Sequence, residues 1–156
     1  MKTLVLGLGN ELLSDDAVGL LVAGEVEKAI GLPGVEVKTT QSAGFRLVEL
    51  LVGYDKAIVV DAIISDRAPA GEVYWLDLDD LVRPLRAVAN HNIHLADALE
   101  LGRKLNQPMP QEVRVLAIEV EDNLTLRESV GDVAMAAVPK AVKMILDELR
   151  APQPKS

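Results

Sequence analysis

The chain contains no cysteine and only two histidines among its 156 residues. Without thiols it can form no disulfide, no cysteine-ligated zinc site and no thiol nucleophile, so any catalysis must use other groups, and a reducing compartment such as the cytoplasm suits it. Positive charge is scarce as well. Sixteen Lys and Arg stand against 24 Asp and Glu, a formal net charge of −8, and no basic stretch interrupts that excess. A nucleic-acid partner, which demands a basic footprint for its phosphates, is therefore excluded as an expectation. An acidic body better suits a metal, a basic peptide or a neutral partner. No window approaches the roughly 18 apolar residues of a membrane span. The opening MKTLVLGLGNELLSDD breaks its apolar stretch with Gly and Asn too early for a secretory signal. No membrane span is expected.

Low-complexity segments, internal repeats and linkers are missing too. What remains is a chain of which 49% is apolar, the size of one ordinary domain and able to bury a core unaided. The reading is a single domain over residues 1–150 with a disordered tail at 151–156, APQPKS.

Strand and helix patterns alternate along that domain. Lys2–Gly7 and Lys56–Val60 are short apolar runs of the kind that form buried parallel strands, the second ended by Asp61. Val35–Thr39 alternates as a strand, and Val113–Val120 is a strongly apolar one. Ala17–Ile30, Ala43–Val52, His94–Leu105 and Val133–Leu149 carry helical spacing, and Pro139 should kink the last of these or mark its true start. Glu72–Leu76 alternates polar and apolar residues, which suggests an edge strand and predicts the one antiparallel member of the sheet. Residues Asp77–Asn90 lack clear periodicity beyond one helical turn at Leu78–Val82, and they are expected, with the stretch after Asp61, to be loops over a cleft. The fold class is α/β: a three-layer α/β/α sandwich around a mostly parallel twisted sheet of about five strands with one antiparallel strand.

In such a sheet the carboxyl ends of the parallel strands form one rim, where residues distant in sequence meet. Gly7-Leu8-Gly9 after the first strand invites a dinucleotide reading, but Leu12 stands where the third glycine of that fingerprint belongs, and Asp15 and Asp16 at the helix entrance would repel a phosphate. A tight strand-to-helix turn accounts for the glycines. Ser14 or Asp15 can cap the helix, and a helix needs one cap, so the neighbouring carboxylate of Asp16 is left to face the rim. Asp61 either bonds the amides of its following turn or joins Asp16 around a divalent cation. His91 and His94 are the only imidazoles; one of them can complete an oxygen, oxygen and nitrogen ligand set suited to a transition metal, and helix capping is the plainer alternative for this segment.

The residues themselves now suggest a family. Leu6-Gly7-Leu8-Gly9-Asn10 through Leu13-Ser14-Asp15-Asp16-Ala17-Val18-Gly19 resembles the opening signature of the nickel-iron hydrogenase maturation endopeptidases. Ala43-Gly44, Ile58-Val59-Val60-Asp61-Ala62, and His91 with Leu95-Ala96-Asp97 follow in matching order, so the similarity runs from Leu4 to about Leu149. The resemblance implies an aspartyl-type endopeptidase of the cytoplasm that removes the C-terminal extension of a nickel-iron hydrogenase large-subunit precursor after nickel insertion. It assigns Asp16, Asp61 and His91 both to catalysis and to metal recognition. The nickel is carried by the substrate, and no tightly bound cofactor of the protein's own is implied. Two departures stand out. Asp16 is shorter than the Glu common in the family, and Thr39, Thr40, Gln41 and Ser42 occupy the stretch where relatives often place an Asp. Competing readings of the same ligands are a metal- or peptide-binding, chaperone-like module without turnover and a small metal-dependent hydrolase.

Overall fold

A computed structural model describes residues 1–10, 14–41, 45–65, 67–77, 92–121 and 130–151. Residues 152–156 of the expected tail at 151–156, all but the first residue of the expected Asp77–Asn90 loop with its helical turn at Leu78–Val82, and the candidate ligand His91 lie outside them. Five strands form one sheet: β1 (Thr3–Leu8), β2 (Val35–Thr40), β3 (Lys56–Ile63), β4 (Val73–Asp77) and β5 (Glu112–Glu119). Their order is β2-β1-β3-β5-β4, with β4 antiparallel to β5 and every other pairing parallel. The mixed sheet expected from the sequence is the one found. Its edges differ from its centre: the central strands β1 and β3 are buried at every residue, whereas β2 is nowhere fully buried and β4 is buried only at Val73 and Leu76.

Four helices are described: α1 (Val18–Ala29), α2 (Phe45–Leu51), α3 (Asn92–Lys104) and α4 (Asp132–Arg150). Because strand side chains alternate between faces, each strand feeds two cores. Leu4, Leu6, Ala57, Val59, Val113 and Val115 pack with α2 and α3 through Leu47, Leu51, Leu95 and Leu99. Val5, Ile58, Val60, Leu116 and Ile118 pack with α1 and α4 through Val18, Val22, Ala137 and Ile145. This is the three-layer sandwich.

Several boundaries move for physical reasons. The expectation that Asp61 ends its strand is corrected: β3 continues to Ile63, because β5 runs alongside it and pairs Asp61 with Ala117 and Ile63 with Glu119. Tertiary pairing overrides the weak strand propensity of Asp. Neither Ser14 nor Asp15 is the N-cap of α1. That position is Ala17, which makes no side-chain capping bond, and a 3-10 turn (Ser14–Ala17) leads into it. Pro139 does not mark the start of the last helix, since α4 begins at Asp132.

At the amino ends of the strands, the last turn of α4 is pinned to the sheet. Lys56, 4% exposed, reaches Glu148 at 2.8 Å and Glu112 at 3.7 Å. Arg114 also meets Glu148, at 2.9 Å, and lies over the Trp75 ring. The hydrogen bond from Lys56, opposed by burial and helped by Arg114, holds the Glu148 carboxyl below its ordinary range. Among the described residues no helix is long and apolar enough to cross a membrane.

Candidate active site

The strand order reverses once at β1. The chain leaves β1 through α1 to β2 on one side, then returns through α2 to β3 on the other, the arrangement that in open α/β sheets places a crevice beyond the carboxyl ends of the diverging strands. Such a reversal is where open α/β sheets bind their ligands. Three glycines let the chain fold tightly there. A Cβ on Gly7 would lie 2.6 Å from the Gly19 carbonyl oxygen, one on Gly9 would lie 2.3 Å from that of Asp16, and one on Gly19 would lie 2.3 Å from that of Leu8 and 2.8 Å from that of Val60. Thus Gly19, the second residue of α1, provides the close helix-to-strand packing. The strand-to-helix turn expected from the sequence is present, and Ser14 within it takes a positive φ of 42°. That left-handed backbone is uncommon outside glycine and is held only by well-packed surroundings.

The turn carries Asp15 and Asp16, 4% and 2% exposed. Their roles divide. Asp15 Oδ1 accepts a hydrogen bond from the Gly131 amide at 2.7 Å, and Gly131 is the residue that opens α4. A carboxylate is favoured at a helix N-terminus, but the helix served is the last one, not the adjacent one. Asp16 remains as the rim carboxylate, on a turn that packs against β3.

Asp61 is 1% exposed. By parity with Ala57, Val59 and Ile63 it belongs to the face covered by α2 and α3, where it interrupts an otherwise apolar row. It also stands one residue beyond the β1–β3 ladder, whose final pair is Gly7 with Val60. Hence Asp61 stands at the strand-order reversal, and both carboxylates keep polar or electrostatic interactions. The structure brings Asp16 and Asp61 onto adjoining elements at the strand-order reversal. It does not describe His91, which precedes the first residue of α3, nor the side chain of His94 within that helix. Thr39 and Thr40, paired with Gly7 and Leu8, reach the same rim without adding a carboxylate.

A second polar group at this rim escaped the sequence reading. Glu119, 2% exposed at the end of β5, accepts hydrogen bonds from the Ser65 amide (2.8 Å), the Ser65 hydroxyl (2.5 Å) and the Tyr74 hydroxyl (2.8 Å). Burial, reinforced by this carboxylate, pushes the Tyr74 hydroxyl up to about 12, so it stays protonated and donates. The only signal in the sequence was a glutamate closing an apolar run, which reads equally as the solvent end of a strand.

Comparison with known proteins follows the geometry. The family model for hydrogenase maturation protease (HycI) matches residues 21–148. The hydrogenase 2 maturation protease of Escherichia coli strain K12 is 29% identical over 153 residues, covering 96% of this chain and 92% of the relative. Among solved structures, the hydrogenase maturating endopeptidase HybD from E. coli superimposes with a TM-score of 0.81 at 26% identity, covering 96% of this chain and 93% of that one. The [NiFe] hydrogenase maturation protease HybD from Thermococcus kodakarensis gives 0.75 at 26% identity, covering 97% and 100%.

Proposed function

From the premise that this chain belongs to the hydrogenase maturation protease family, we propose that it is the endopeptidase that trims the C-terminal extension of a nickel-iron hydrogenase large-subunit precursor in the cytoplasm. Asp16, Asp61 and His91 recognise the nickel that the substrate already carries. The observation that supports this reading is the placement of two buried carboxylates, Asp16 and Asp61, at the strand-order reversal of the sheet. Two carboxylates and an imidazole suit a transition ion, and three protein ligands leave coordination positions for the partner to fill. Such a set holds metal weakly by itself. It gains affinity when a loaded substrate completes the sphere, so cleavage reports that nickel has been inserted.

The chemistry assigned to the chain's own groups is modest. A carboxylate orients or deprotonates the attacking water, while the substrate's metal polarises the neighbouring carbonyl. The rigid glycine turn and the parallel ladder hold the two acids in register for that step. The test is to incubate the purified protein with a nickel-loaded and a nickel-free precursor and to follow C-terminal mass loss. Cleavage of the loaded form alone is expected. Equal cleavage of both would overturn metal recognition, and binding of the loaded form without mass loss would mean a binding module.

A further inference from the structure

The last residues of β3, though packed into both cores, have a neighbouring strand on one side only among the described residues. Beyond Val60 the strand has no β1 partner, and Asp61, Ala62 and Ile63 pair solely with Ala117, Ile118 and Glu119 of β5. Asp61 therefore sits at the root of an overhang at the rim. Immediately past its end, Ser65 is gripped through both its amide and its hydroxyl by Glu119. Glu119 is itself fixed. Its amide donates to the Glu72 carbonyl at 2.9 Å, its carbonyl accepts from the Gly71 amide at 2.7 Å, and Tyr74 donates to its carboxylate. Five bonds thus converge on one residue, two of them from Ser65, two residues past the end of β3. A buried carboxylate is costly unless fully hydrogen-bonded, and here every donor belongs to the overhang or to the β4 hairpin that braces it.

We infer that Glu119 is a positioning residue for the cleavage reaction, clamping Ser65 so that the end of β3 lacking a β1 neighbour is fixed and Asp61 keeps its place at the rim. This rests on the reading of Asp61 given above. The distinguishing property is that the clamp acts on geometry and not on substrate affinity, since Glu119 lies behind the overhang with 2% exposure.

The experiment compares Glu119→Ala, Glu119→Gln, Ser65→Ala and Asp61→Asn in cleavage of a nickel-loaded large-subunit precursor, with thermal melts and amide hydrogen exchange on each. Glu119→Ala should lower kcat by about tenfold to a hundredfold, the effect of a displacement near 1 Å at a reacting group, and leave KM within about twofold. Its amides at Ala62–Ser65 should exchange faster while those at Lys56–Val60 stay protected. Glu119→Gln should restore kcat, because its carbonyl still accepts from the Ser65 amide and its NH2 can donate to the two hydroxyls. A wild-type kcat in Glu119→Ala, a loss seen only in KM, or failure of Glu119→Gln to restore the rate would each overturn the inference. If Glu119→Ala does not fold, Ser65→Ala, which removes one of the two bonds, should lower kcat several-fold at constant KM, and an unchanged kcat there overturns it equally. An inactive Asp61→Asn beside a fully active Glu119→Ala defeats this inference alone. A fully active Asp61→Asn defeats the site reading beneath it.

Discussion

Replacing Gly19 with Ala sets a favourable local propensity against an unfavourable contact, and the structure decides between them. The added methyl would meet the Leu8 carbonyl oxygen at 2.3 Å, about 1 Å short of the ~3.3 Å at which carbon and carbonyl oxygen ordinarily meet. Both close atoms, on Leu8 and Val60, are backbone of buried central strands, so the helix must move and the sheet cannot. Overpacking of this kind costs about 1–3 kcal/mol. Alanine recovers about 1 kcal/mol of helix propensity, leaving a net loss of about 0–2 kcal/mol and a melting-temperature fall of up to about 8 °C. The domain survives, but α1 and the turn before it are lifted by nearly the full shortfall, taking Asp16 with them. A roughly hundredfold drop in precursor cleavage should follow. Gly24→Ala in the same helix is the control: nothing lies within 4 Å of its Cβ, so it should gain about 0.5–1 kcal/mol and keep full activity. Circular-dichroism melts and cleavage rates on the two variants settle the point. A Gly19→Ala protein that melts no lower than wild type and cleaves at the wild-type rate would refute the claim that this contact places Asp16.

Asp61→Asn and His91→Ala should fold as the parent does and lose processing, read by circular dichroism and precursor mass, and an active Asp61→Asn would remove Asp61 from the site. Asp15→Asn retains a carbonyl oxygen for the Gly131 amide and should keep most activity, whereas Asp15→Ala strands a buried donor at about 1–3 kcal/mol; equal melts for the two would contradict the assignment. Glu148, held below its ordinary range by Lys56 and Arg114, stabilises the fold above its unfolded value of 4.5, and that contribution is lost as pH falls through the lowered folded value. Glu148→Gln should flatten the acid limb of a stability-against-pH curve. Glu148→Ala should cost about 3 kcal/mol, because Lys56 is then left buried with Glu112 as its remaining acid.

Much of this architecture could be read from residue order because the informative contacts are local or periodic. β4 betrays its edge position by alternation, and β1 and β3 betray their burial by having none. Asp61 is conspicuous in the sequence because it follows an unbroken apolar run, and Asp16 because it is one of two acids at a helix entrance. The errors arose where a partner is remote. Asp is a poor strand former and so suggests a strand end at Asp61; the β5 residues that extend the ladder lie more than 50 positions away. By sequence either Ser14 or Asp15 can cap the adjacent helix, and the amide that Asp15 holds is 116 residues distant. Glu119 carries no periodic anomaly, so only the convergence of Ser65, Tyr74 and Gly71 upon it gives it meaning.

The bond between Asp15 and Gly131 also fixes an order of assembly. A nascent chain that has emerged only as far as β5 already contains Asp16, Asp61 and His91, yet it lacks the amide that anchors the turn beside Asp16 and the helix that buries the far side of α1. The protease is thus completed by its final helix, and a chain cut short before residue 131 would hold each of its proposed ligands without a settled geometry in which to use them.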